Sequence, residues 1–524
     1  MRSIPEATAN GPQRFPFFRA LWRNLVEDHS REWQRDYRIW LPLMLVSWWL
    51  AWKNQDLFIS DWDGFDYTAY TVRGWPSPLG LGRTLFLGYN HLIWLIAHHW
   101  FGIPPEGAYL PLRYGVIAQS GPAIVGIYAL GKELTANRLA AFFGGLLIAL
   151  SPFYITYSGR VMSEIPALLL LGWSLWWMLK SLRLEARNRF LIASCLVGLS
   201  ANIREFAVFY LPFIVLATQV YYPGRKGWKL GLGAFVLAAF GAVAGIIFWT
   251  IYNPDLFWPS MINWYKLSAQ ERRVHPVTSR NLTYLIDFAY TCSAAVTLLT
   301  PFALGWLWFR KNLRLLFWLG ACGVVADLVL LANHDLAVNP RYLMTGLLGL
   351  GIVGGWCLAE LVKAYRFRTA PLFIVLIVVT YNGYHQMRLE LGWQRDAALA
   401  AKNYISRIES MPGNAAFIVG SRTPLINFYY TIGARPLWKT IASGSAWPDD
   451  KLDSVIDELL GDGRPVYVDF DPELWQQGMR TVSREGLGLE MIKRVYKLEQ
   501  ISGSFYRIVG KQQATNWSTP AKTS

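Results

Sequence analysis

An acidic stretch follows the first strongly apolar block of the chain, where residues 60–70 read SDWDGFDYTAY. Asp61, Asp63 and Asp66 place three carboxylates within this stretch. If it is helical, Asp63 and Asp66 share a face, whereas an extended stretch aligns Asp61 with Asp63. Such a cluster is either a solvated helix end or a group of carboxylates that takes a proton beside an apolar surface.

Four further clusters place arginine near carboxylate, histidine or tyrosine groups between apolar blocks. They are Arg160 and Glu164 in SGRVMSEIP, Arg204 and Glu205 in ANIREF, Arg272, Arg273 and His275 in ERRVHP, and His334, Asp335, Arg341 and Tyr342 in NHDLAVNPRY. A guanidinium group binds phosphate through two parallel hydrogen bonds. Arg341, Arg204 or the Arg272–Arg273 pair could therefore hold a phosphate or pyrophosphate.

Each of these clusters also has a structural alternative. Glu164 suits the first turn of a helix, where the helix dipole favours negative charge. Arg204 and Glu205 could be an ion pair that closes a tight turn. Arg341–Tyr342 is typical of an anchor at a membrane surface, and Arg272–Arg273 is typical of a solvated loop.

The composition indicates a polytopic membrane protein that is mainly α-helical. Hydrophobic residues make up 53% of the 524 residues and charged residues only 16%, whereas soluble proteins carry about a quarter charged residues. The 26 tryptophans are typical of a protein with extensive membrane–water interfaces. The net charge of +15 is scattered in small groups between apolar blocks, so membrane lipids are the predicted partners and nucleic acid is excluded.

The apolar blocks predict about eleven transmembrane helices, since a span needs about 20 mostly apolar residues. They lie at about 38–54, 109–131, 138–153, 164–180, 189–203, 206–222, 230–251, 284–309, 314–332, 342–362 and 369–386. With a cytoplasmic N-terminus, the inside connections KELTANR, KSLRLEARNR, YYPGRKGWK, RKNLR and KAYRFR are all short and basic. The acidic stretch and the four arginine clusters then all lie on the extracytoplasmic side.

Four segments follow from this topology. They are a cytoplasmic N-terminal segment at 1–37, a transmembrane domain at 38–387 with its first external loop at 55–108, an extracytoplasmic α/β domain at 388–510, and a disordered tail at 511–524. The C-terminal domain is expected to cover the active site or to recognise the acceptor. Within the first loop, TLFLGYNHLIWLIAHHWF at 84–101 is interpreted as an interfacial helix rather than a metal site at His91 and His98 or a twelfth span.

The Asp-bearing loop and the phrase ALSPFYITYSGRVMSEIPA resemble the polytopic glycosyltransferases of the C superfamily (GT-C). The similarity is greatest to the group that contains protein O-mannosyltransferases and the bacterial lipid A aminoarabinose transferase, and in layout it covers most of residues 38–387. The resemblance implies a GT-C-like membrane fold. It also implies inverting transfer of a sugar from a polyprenyl-phosphate carrier to a lipid, glycan or protein acceptor at the extracytoplasmic face.

The resemblance also implies roles for particular residues. The acidic residue of the first loop acts as general base or positions the acceptor, and the sequence DWD leaves this role open between Asp61 and Asp63. Arginines near outer helix ends hold the carrier phosphate, which maps best to Arg341 and then to Arg204. The superfamily contains both metal-dependent and metal-independent members, so Mg²⁺ or Mn²⁺ at Asp61 and Asp63 is a further expectation.

The remaining polar residues of the clusters are predicted to line the substrate site. They are Asp66, Arg160, Glu164, Glu205, Arg272, Arg273, His334 and Tyr342. Two other classes stay open: a polymerase or ligase that moves lipid-linked oligosaccharides, and a non-enzymatic transporter or flippase. A transporter should carry ionisable residues at mid-membrane depth, where Asp327 is the candidate. Short loops and cysteines confined to apolar segments favour a prokaryotic inner membrane.

Overall fold

The computed structural model describes residues 31–60, 62–77, 83–274, 294–333, 344–365, 369–441, 449–471 and 482–512. Several residues singled out by the sequence lie outside these ranges: Asp61, His275, His334, Asp335, Arg341 and Tyr342. Arg272 and Arg273 fall within a helix, but their side chains are not described.

Helices dominate the described part of the chain before residue 409. In chain order they are α1 (Tyr37–Lys53), α2 (Trp62–Arg73), α3 (Thr84–Phe101), α4 (Tyr109–Thr135), α5 (Arg138–Ala149), α6 (Pro152–Ser158), α7 (Glu164–Arg183), α8 (Arg187–Leu199), α9 (Leu211–Tyr221), α10 (Arg225–Tyr252), α11 (Pro254–Val274), α12 (Ala294–Trp308), α13 (Arg314–Asn333), α14 (Met344–Tyr365) and α15 (Ala370–Ile408). Short 3-10 turns at Ser200–Asn202 and Glu205–Tyr210 connect α8 to α9.

Every predicted span overlaps one of these helices. Within the described residues, four segments are long and apolar enough to cross a membrane: Glu164–Arg183, Arg225–Tyr252, Lys311–Leu330 and Gly346–Tyr365. The pair α5 and α6, which meet at a bend of 64°, would add a fifth. The total of eleven spans therefore stays a prediction, whereas the mainly helical architecture is observed.

Charged residues stand at both ends of α1, α4 and α7. At one end Asp36, just before α1, pairs with Lys132 near the end of α4. At the other end Arg113, the fifth residue of α4, donates a hydrogen bond to the backbone carbonyl of Asp56, three residues beyond α1. An α-helix rises 1.5 Å per residue, so Arg113 and Lys132 are roughly 28 Å apart, which is about the thickness of a bilayer core.

Glycines allow the helices of the bundle to approach closely. The stretch GLLGLGIVGG lies in α14, where Gly355 meets the backbone of Gly144 on α5 so closely that a Cβ atom would not fit. This contact is the close packing of small residues that is typical of membrane helices.

The C-terminal region forms a small α/β domain. Its elements are β1 (Ala416–Ile418), α16 (Thr423–Thr431), β2 (Lys439–Thr440), α17 (Asp449–Gly461), β3 (Val466–Asp469), α18 (Val482–Val495), β4 (Tyr496–Ser502) and β5 (Phe505–Lys511). The sheet order is β2-β1-β3-β5-β4, with β1 parallel to β2 and β3, and β5 antiparallel to β3 and β4. The strands predicted in AAFIVG, RPVYVDF and SFYRIVG are β1, β3 and β5.

Helix α15 connects the bundle to this domain without a break. It is 39 residues long and runs through the predicted boundary at 387. Its final turns supply Ala398, Ala401, Tyr404 and Ile408 to the core of the C-terminal domain.

Candidate active site

Helix α2 carries the aspartates of the acidic stretch and has three distinct faces. Tyr67 is buried in the core of the bundle, and Phe65 and Ala69 are buried in the core of the C-terminal domain. Between them, Asp63, Asp66 and Tyr70 recur at helical spacing and are partly exposed. We call these three residues the α2 stripe.

Asp63 opens the α2 stripe in the first turn of the helix. One helical turn later, the hydroxyl of Tyr67 donates a hydrogen bond to Asp63 Oδ2 over 3.3 Å. Asp63 is also close enough to interact electrostatically with Arg83 and Glu205. The helical arrangement therefore brings this carboxylate to a buried group of arginines and glutamates.

That buried group comprises Arg83, Ser163, Glu164, Arg204 and Glu205, and we call it the Ser163 cluster. Arg83 Nη1 donates to Ser163 Oγ over 2.5 Å, and its Nη2 donates to Glu205 Oε1 over 3.4 Å. The Arg83 guanidinium lies 5.1 Å from the centre of the Tyr67 ring, which links the cluster to α2.

Arg204 completes the Ser163 cluster from the turn between α8 and α9. Its Nη1 lies 3.1 Å from Ser163 Oγ and 2.8 Å from Glu164 Oε1. The side chains of Arg204 and Glu164 are each only 2% exposed. Ser163 Oγ therefore accepts hydrogen bonds from two guanidinium groups, which holds both cations at one point.

Backbone strain accompanies the placement of Arg83. This residue precedes α3 and has a φ of 45° in the left-handed region, which costs a non-glycine residue roughly 1–2 kcal/mol. The contacts with Ser163, Glu205 and Tyr67 hold the residue there. Strain of this kind is common at sites that preorganise a side chain for a ligand.

The arginines of the Ser163 cluster favour the ionised form of Glu205. Burial alone would raise the pKa of Glu205, but the guanidinium groups of Arg83 and Arg204 outweigh it and lower this pKa. Among the described residues, Arg83 Nε and Glu205 Oε2 are buried without a hydrogen-bond partner. The cluster therefore retains hydrogen-bonding capacity that a bound group can use.

Asp66 has a different environment from Asp63. Burial, and then the negative charge of Asp63, raise the pKa of Asp66 to about 7. Burial and the charge of Asp66 in turn raise the pKa of Tyr70. With this pKa, the protonated and ionised forms of Asp66 are both populated near neutral pH.

A second group lies at the start of the first loop and includes Arg160. Arg160 Nε is 3.4 Å from Asp56 Oδ1, and Ser60 Oγ donates to Asp56 Oδ2 over 2.6 Å. The amide of Asp56 donates to the carbonyl of Gly159 over 3.1 Å, and Arg113 binds the Asp56 carbonyl. These contacts tie residues 56–60 to the loop before α7, so Arg160 holds the first loop in place.

The structure thus groups some of the predicted site residues and separates others. Asp63, Glu164, Arg204 and Glu205 come together, and Arg160 belongs with Asp56. Glu205 pairs with Arg83, and among the described residues Arg204 forms its ion pair with Glu164 rather than with Glu205. Asp61, His334, Arg341 and Tyr342 remain predictions because they lie outside the described residues.

Predicted metal binding has no further support in the described part of the chain, where no three His, Cys, Asp or Glu side chains are arranged to hold an ion. His91 and His98 both face backbone carbonyls, those of Thr71 at 2.6 Å and Ile103 at 2.8 Å. Mg²⁺ or Mn²⁺ at Asp61 and Asp63 stays a prediction.

Sequence reasoning missed Arg83, Ser163 and Asp56. Arg83 is a basic residue immediately before the apolar segment 84–101, and this change from basic to apolar residues is the available signal. Asp56 is the first carboxylate after α1. Ser163 carries no signal of its own, because its role follows from the two arginines that converge on it.

Comparisons with known proteins agree with this architecture. Residues 107–252 match the family described as dolichyl-phosphate-mannose-protein mannosyltransferase. No curated protein sequence matches the chain. The matched segment extends from just before α4 to the end of α10, and it contains Ser163, Glu164, Arg204 and Glu205.

Several solved structures are similar over most of the chain. The Archaeoglobus fulgidus oligosaccharyltransferase has 14% identity and a TM-score of 0.53, covering 89% of this chain and 72% of that protein. ArnT from Cupriavidus metallidurans, bound to undecaprenyl phosphate, has 12% identity and a TM-score of 0.55, covering 91% and 98%. The mycobacterial arabinofuranosyltransferase AftD has 15% identity and a TM-score of 0.51, covering 90% and 41%.

At these identities the similarity is one of fold. The shared architecture extends from the helical bundle into the C-terminal domain, since about nine-tenths of the chain is covered in each case. The chain therefore has the fold of the polytopic GT-C glycosyltransferases, which confirms the resemblance indicated by its sequence motifs.

Proposed function

We propose that this protein is an inverting membrane glycosyltransferase that moves a sugar from a polyprenyl-phosphate carrier to an acceptor at the extracytoplasmic face. The observation that carries the proposal is the position of Asp63 on α2, where Tyr67 links it to Arg83 and Ser163 Oγ links Arg83 to Arg204. A carboxylate next to two cations is the arrangement that this transfer requires.

The chemistry assigns one step to each side of the site. A first-loop carboxylate removes the proton of the acceptor hydroxyl while the hydroxyl oxygen attacks the anomeric carbon. The bond from that carbon to the phosphate oxygen breaks on the opposite face, and its electron pair leaves with the carrier phosphate. Asp63 is the described candidate for the base, and Asp61 remains the predicted alternative.

The arginines stabilise the charge that develops on the leaving phosphate. Arg83 and Arg204 are fixed by Ser163 Oγ before any substrate binds, so little reorganisation is needed at the moment of reaction. Arg83 Nε is a free donor among the described groups of the cluster. Arg341 stays a predicted additional phosphate ligand.

The donor class is supported by the relatives. The matching family is named for dolichyl-phosphate-mannose, and ArnT was solved with undecaprenyl phosphate bound. Both are polyprenyl carriers that bear a phosphate. The acceptor is a lipid, glycan or protein, and the proposed location is a prokaryotic inner membrane with a cytoplasmic N-terminus.

A second candidate is transfer of a whole lipid-linked oligosaccharide. It is favoured by the similarity to the Archaeoglobus oligosaccharyltransferase, which has also been solved tethered to an acceptor peptide. The mass of the transferred glycan distinguishes the two candidates, because a polymerase or ligase adds more than one sugar in a single event.

The test uses the purified full-length protein in lipid nanodiscs with a panel of undecaprenyl-phosphate hexoses and pentoses. Release of undecaprenyl phosphate is measured for the wild type and for Asp61→Asn and Asp63→Asn separately. We expect one donor to be consumed and Asp63→Asn to slow its consumption by about 10²–10⁴-fold. Asp462→Asn, at an exposed position of the C-terminal domain, is the matched control.

Two results would overturn the proposal. The first is that the wild type consumes no donor of the panel. The second is that both aspartate variants keep the wild-type rate, because then no first-loop carboxylate in the DWD sequence acts as the base.

A further inference from the structure

We infer that the C-terminal domain positions the catalytic helix: Phe428 and the Thr431 carbonyl of α16 hold α2 in the orientation that presents Asp63 to the Ser163 cluster. This inference rests on the proposed function, and it assigns the C-terminal domain a part in the chemistry rather than only in acceptor recognition.

The first loop and the C-terminal domain share a hydrophobic core. Phe65 and Ala69 of α2 are 7% and 3% exposed. They belong to one buried cluster with Phe428 of α16 and with Ala398 and Ala401 of α15. Helix α2 is therefore built into the core of the C-terminal domain instead of standing against its surface.

A chain of aromatic rings extends this core from the domain to the bundle. The ring centres of Phe428 and Phe65 are 5.7 Å apart at an interplanar angle of 60°. Phe65 meets Phe58 at 5.9 Å, and Phe58 meets Tyr109 of α4 at 5.0 Å. These edge-to-face contacts have defined geometries, so a displacement of Phe428 moves the face of α2 that bears Phe65.

A polar contact fixes the opposite end of α2. Arg73, the last residue of the helix, donates from Nε to the backbone carbonyl of Thr431 over 2.5 Å. Its guanidinium also lies against Gly433, where an added Cβ would be 3.7 Å from Arg73 Nη2. The helix is thus held near its start by Phe65 and at its end by Arg73, and both contacts are with α16 and the residues that follow it.

Because α2 is a rigid helix, the contacts that fix its rotation also fix the position of Asp63. Phe65 and Asp63 lie on opposite faces of the first turns of α2, since two residues correspond to about 200°. Rotation of the helix about its axis therefore moves Asp63 by a similar amount in the opposite direction. Misplacement of a reacting group by about 1 Å costs about 10²-fold in rate.

Donor hydrolysis separates positioning from acceptor recognition. When water replaces the acceptor, a domain that only recognises the acceptor has no effect on release of undecaprenyl phosphate. A domain that positions Asp63 changes the turnover number of this reaction and leaves the KM for the donor unchanged, because the donor phosphate binds to the Ser163 cluster.

The experiment compares Phe428→Ala and Arg73→Gln with Phe428→Leu and Arg73→Lys, in the full-length protein. Phe470→Ala is the matched control, because Phe470 packs on Tyr506 in the other core of the same domain. Hydrolysis of the undecaprenyl-phosphate sugar that the wild type consumes is measured together with hydrogen exchange of the α2 amides at 62–73.

We expect Phe428→Ala to lower kcat by at least 10-fold at an unchanged donor KM and to speed amide exchange in α2. Arg73→Gln should act in the same direction, and the Leu and Lys variants should recover most of the rate. Phe470→Ala should alter neither α2 exchange nor kcat. The inference would be overturned if Phe428→Ala and Arg73→Gln both kept the kcat of the wild type and its rates of amide hydrogen exchange in α2.

The exchange measurement needs no substrate, so the two hypotheses fail separately. If the wild type consumes no donor, the proposed function fails while the exchange data still report whether α16 holds α2. If the wild type is active and Asp63→Asn is inactive, but Phe428→Ala is fully active, only the positioning role fails.

Discussion

The bundle has a buried charged cluster near each end, and the two clusters differ in how completely their groups are paired. In the first, Asp36 accepts hydrogen bonds from Tyr128 at 2.8 Å and Arg138 at 2.6 Å and also pairs with Lys132. Beside it the Glu133 carboxylate accepts hydrogen bonds from Nε and Nη2 of Arg183, over 2.6 and 3.2 Å. We call this set the Asp36 cluster.

The Ser163 cluster is similarly buried but retains unused groups. Arg83 Nε and Glu205 Oε2 have no hydrogen-bond partner among the described residues, whereas the Asp36 cluster has no such atom there. A buried polar group without a partner costs about 1–3 kcal/mol. Paired charges stabilise contacts between helices, and unpaired donors beside a carboxylate are instead expected at a site that binds an anion.

The largest expected effect comes from Arg83→Gln in the Ser163 cluster. Loss of a preorganised cation beside the leaving phosphate should slow donor consumption by about 10²–10³-fold. The thermal midpoint should fall less than after loss of a fully buried ion pair, because the Glu205 side chain is 21% exposed and Arg204 still acts on its charge. Arg83→Lys keeps the positive charge but lacks the planar guanidinium group, so its rate should lie between those of the wild type and Arg83→Gln. An active Arg83→Gln would contradict an anion-binding role.

Lys132→Met in the Asp36 cluster should lower stability and leave the reaction rate unchanged. Lys132 and Asp36 have fully buried side chains, and removal of one partner of such a pair costs about 3 kcal/mol of stability. The rate per folded molecule should stay at the wild-type value. Denaturant unfolding and donor consumption, measured on the same preparation, check both expectations; a slower reaction without destabilisation would erase the contrast between the clusters.

The pH dependence of stability should depend on Asp66, whose environment differs from that of Asp36. Asp36 faces the positive charges of Lys132 and Arg138, whereas the negative charge of Asp63 acts on Asp66. The pKa of Asp66 is raised in the folded state to about 7, so its ionisation opposes folding. This cost is absent below about pH 4, increases up to about pH 7, and then stays constant.

Asp66→Asn should therefore stabilise the protein at pH 8 and have little effect at pH 4. We expect a gain of about 2 kcal/mol at pH 8, given the partial exposure of the stripe. Thermal midpoints of the wild type and the variant across this pH range give the difference directly. An equal difference at both pH values would mean that ionisation of Asp66 is not its cause.

The smallest effect concerns a helix cap next to the Asp36 cluster. Asn137 Oδ1 accepts hydrogen bonds from the amides of Leu139 at 3.0 Å and Ala140 at 3.4 Å, which caps α5. Asn137→Ala should lower the free energy of unfolding by about 1 kcal/mol. Asn137→Asp keeps the cap and should preserve stability, and donor consumption should not change in either variant.

Patterns along the chain predicted much of this architecture. Long apolar blocks predicted the helices, and the charge alternation predicted that Asp63, Glu164, Arg204 and Glu205 share one side. The sequence also predicted the alternation of helices and short strands in the C-terminal region. These features could be predicted because each depends on hydrophobicity or charge within a short window.

The pairing of individual side chains could not be predicted. Arg83 and Glu205 are 122 positions apart in the chain, and the packing of α3 against the turns between α8 and α9 brings them together. The same holds for Phe65 and Phe428, because nothing in FDYTAY indicates that one face of α2 belongs to the core of a distant domain. Contacts of this kind depend on the tertiary fold rather than on local periodicity.

The most direct test of the account is the affinity of the purified protein for undecaprenyl phosphate. If the Ser163 cluster holds the carrier phosphate, Arg83→Gln should raise the Kd at least 10-fold, while folded Lys132→Met should bind as tightly as the wild type. An unchanged Kd in Arg83→Gln, or an equal loss in both variants, would contradict the distinction between a binding cluster and a structural one.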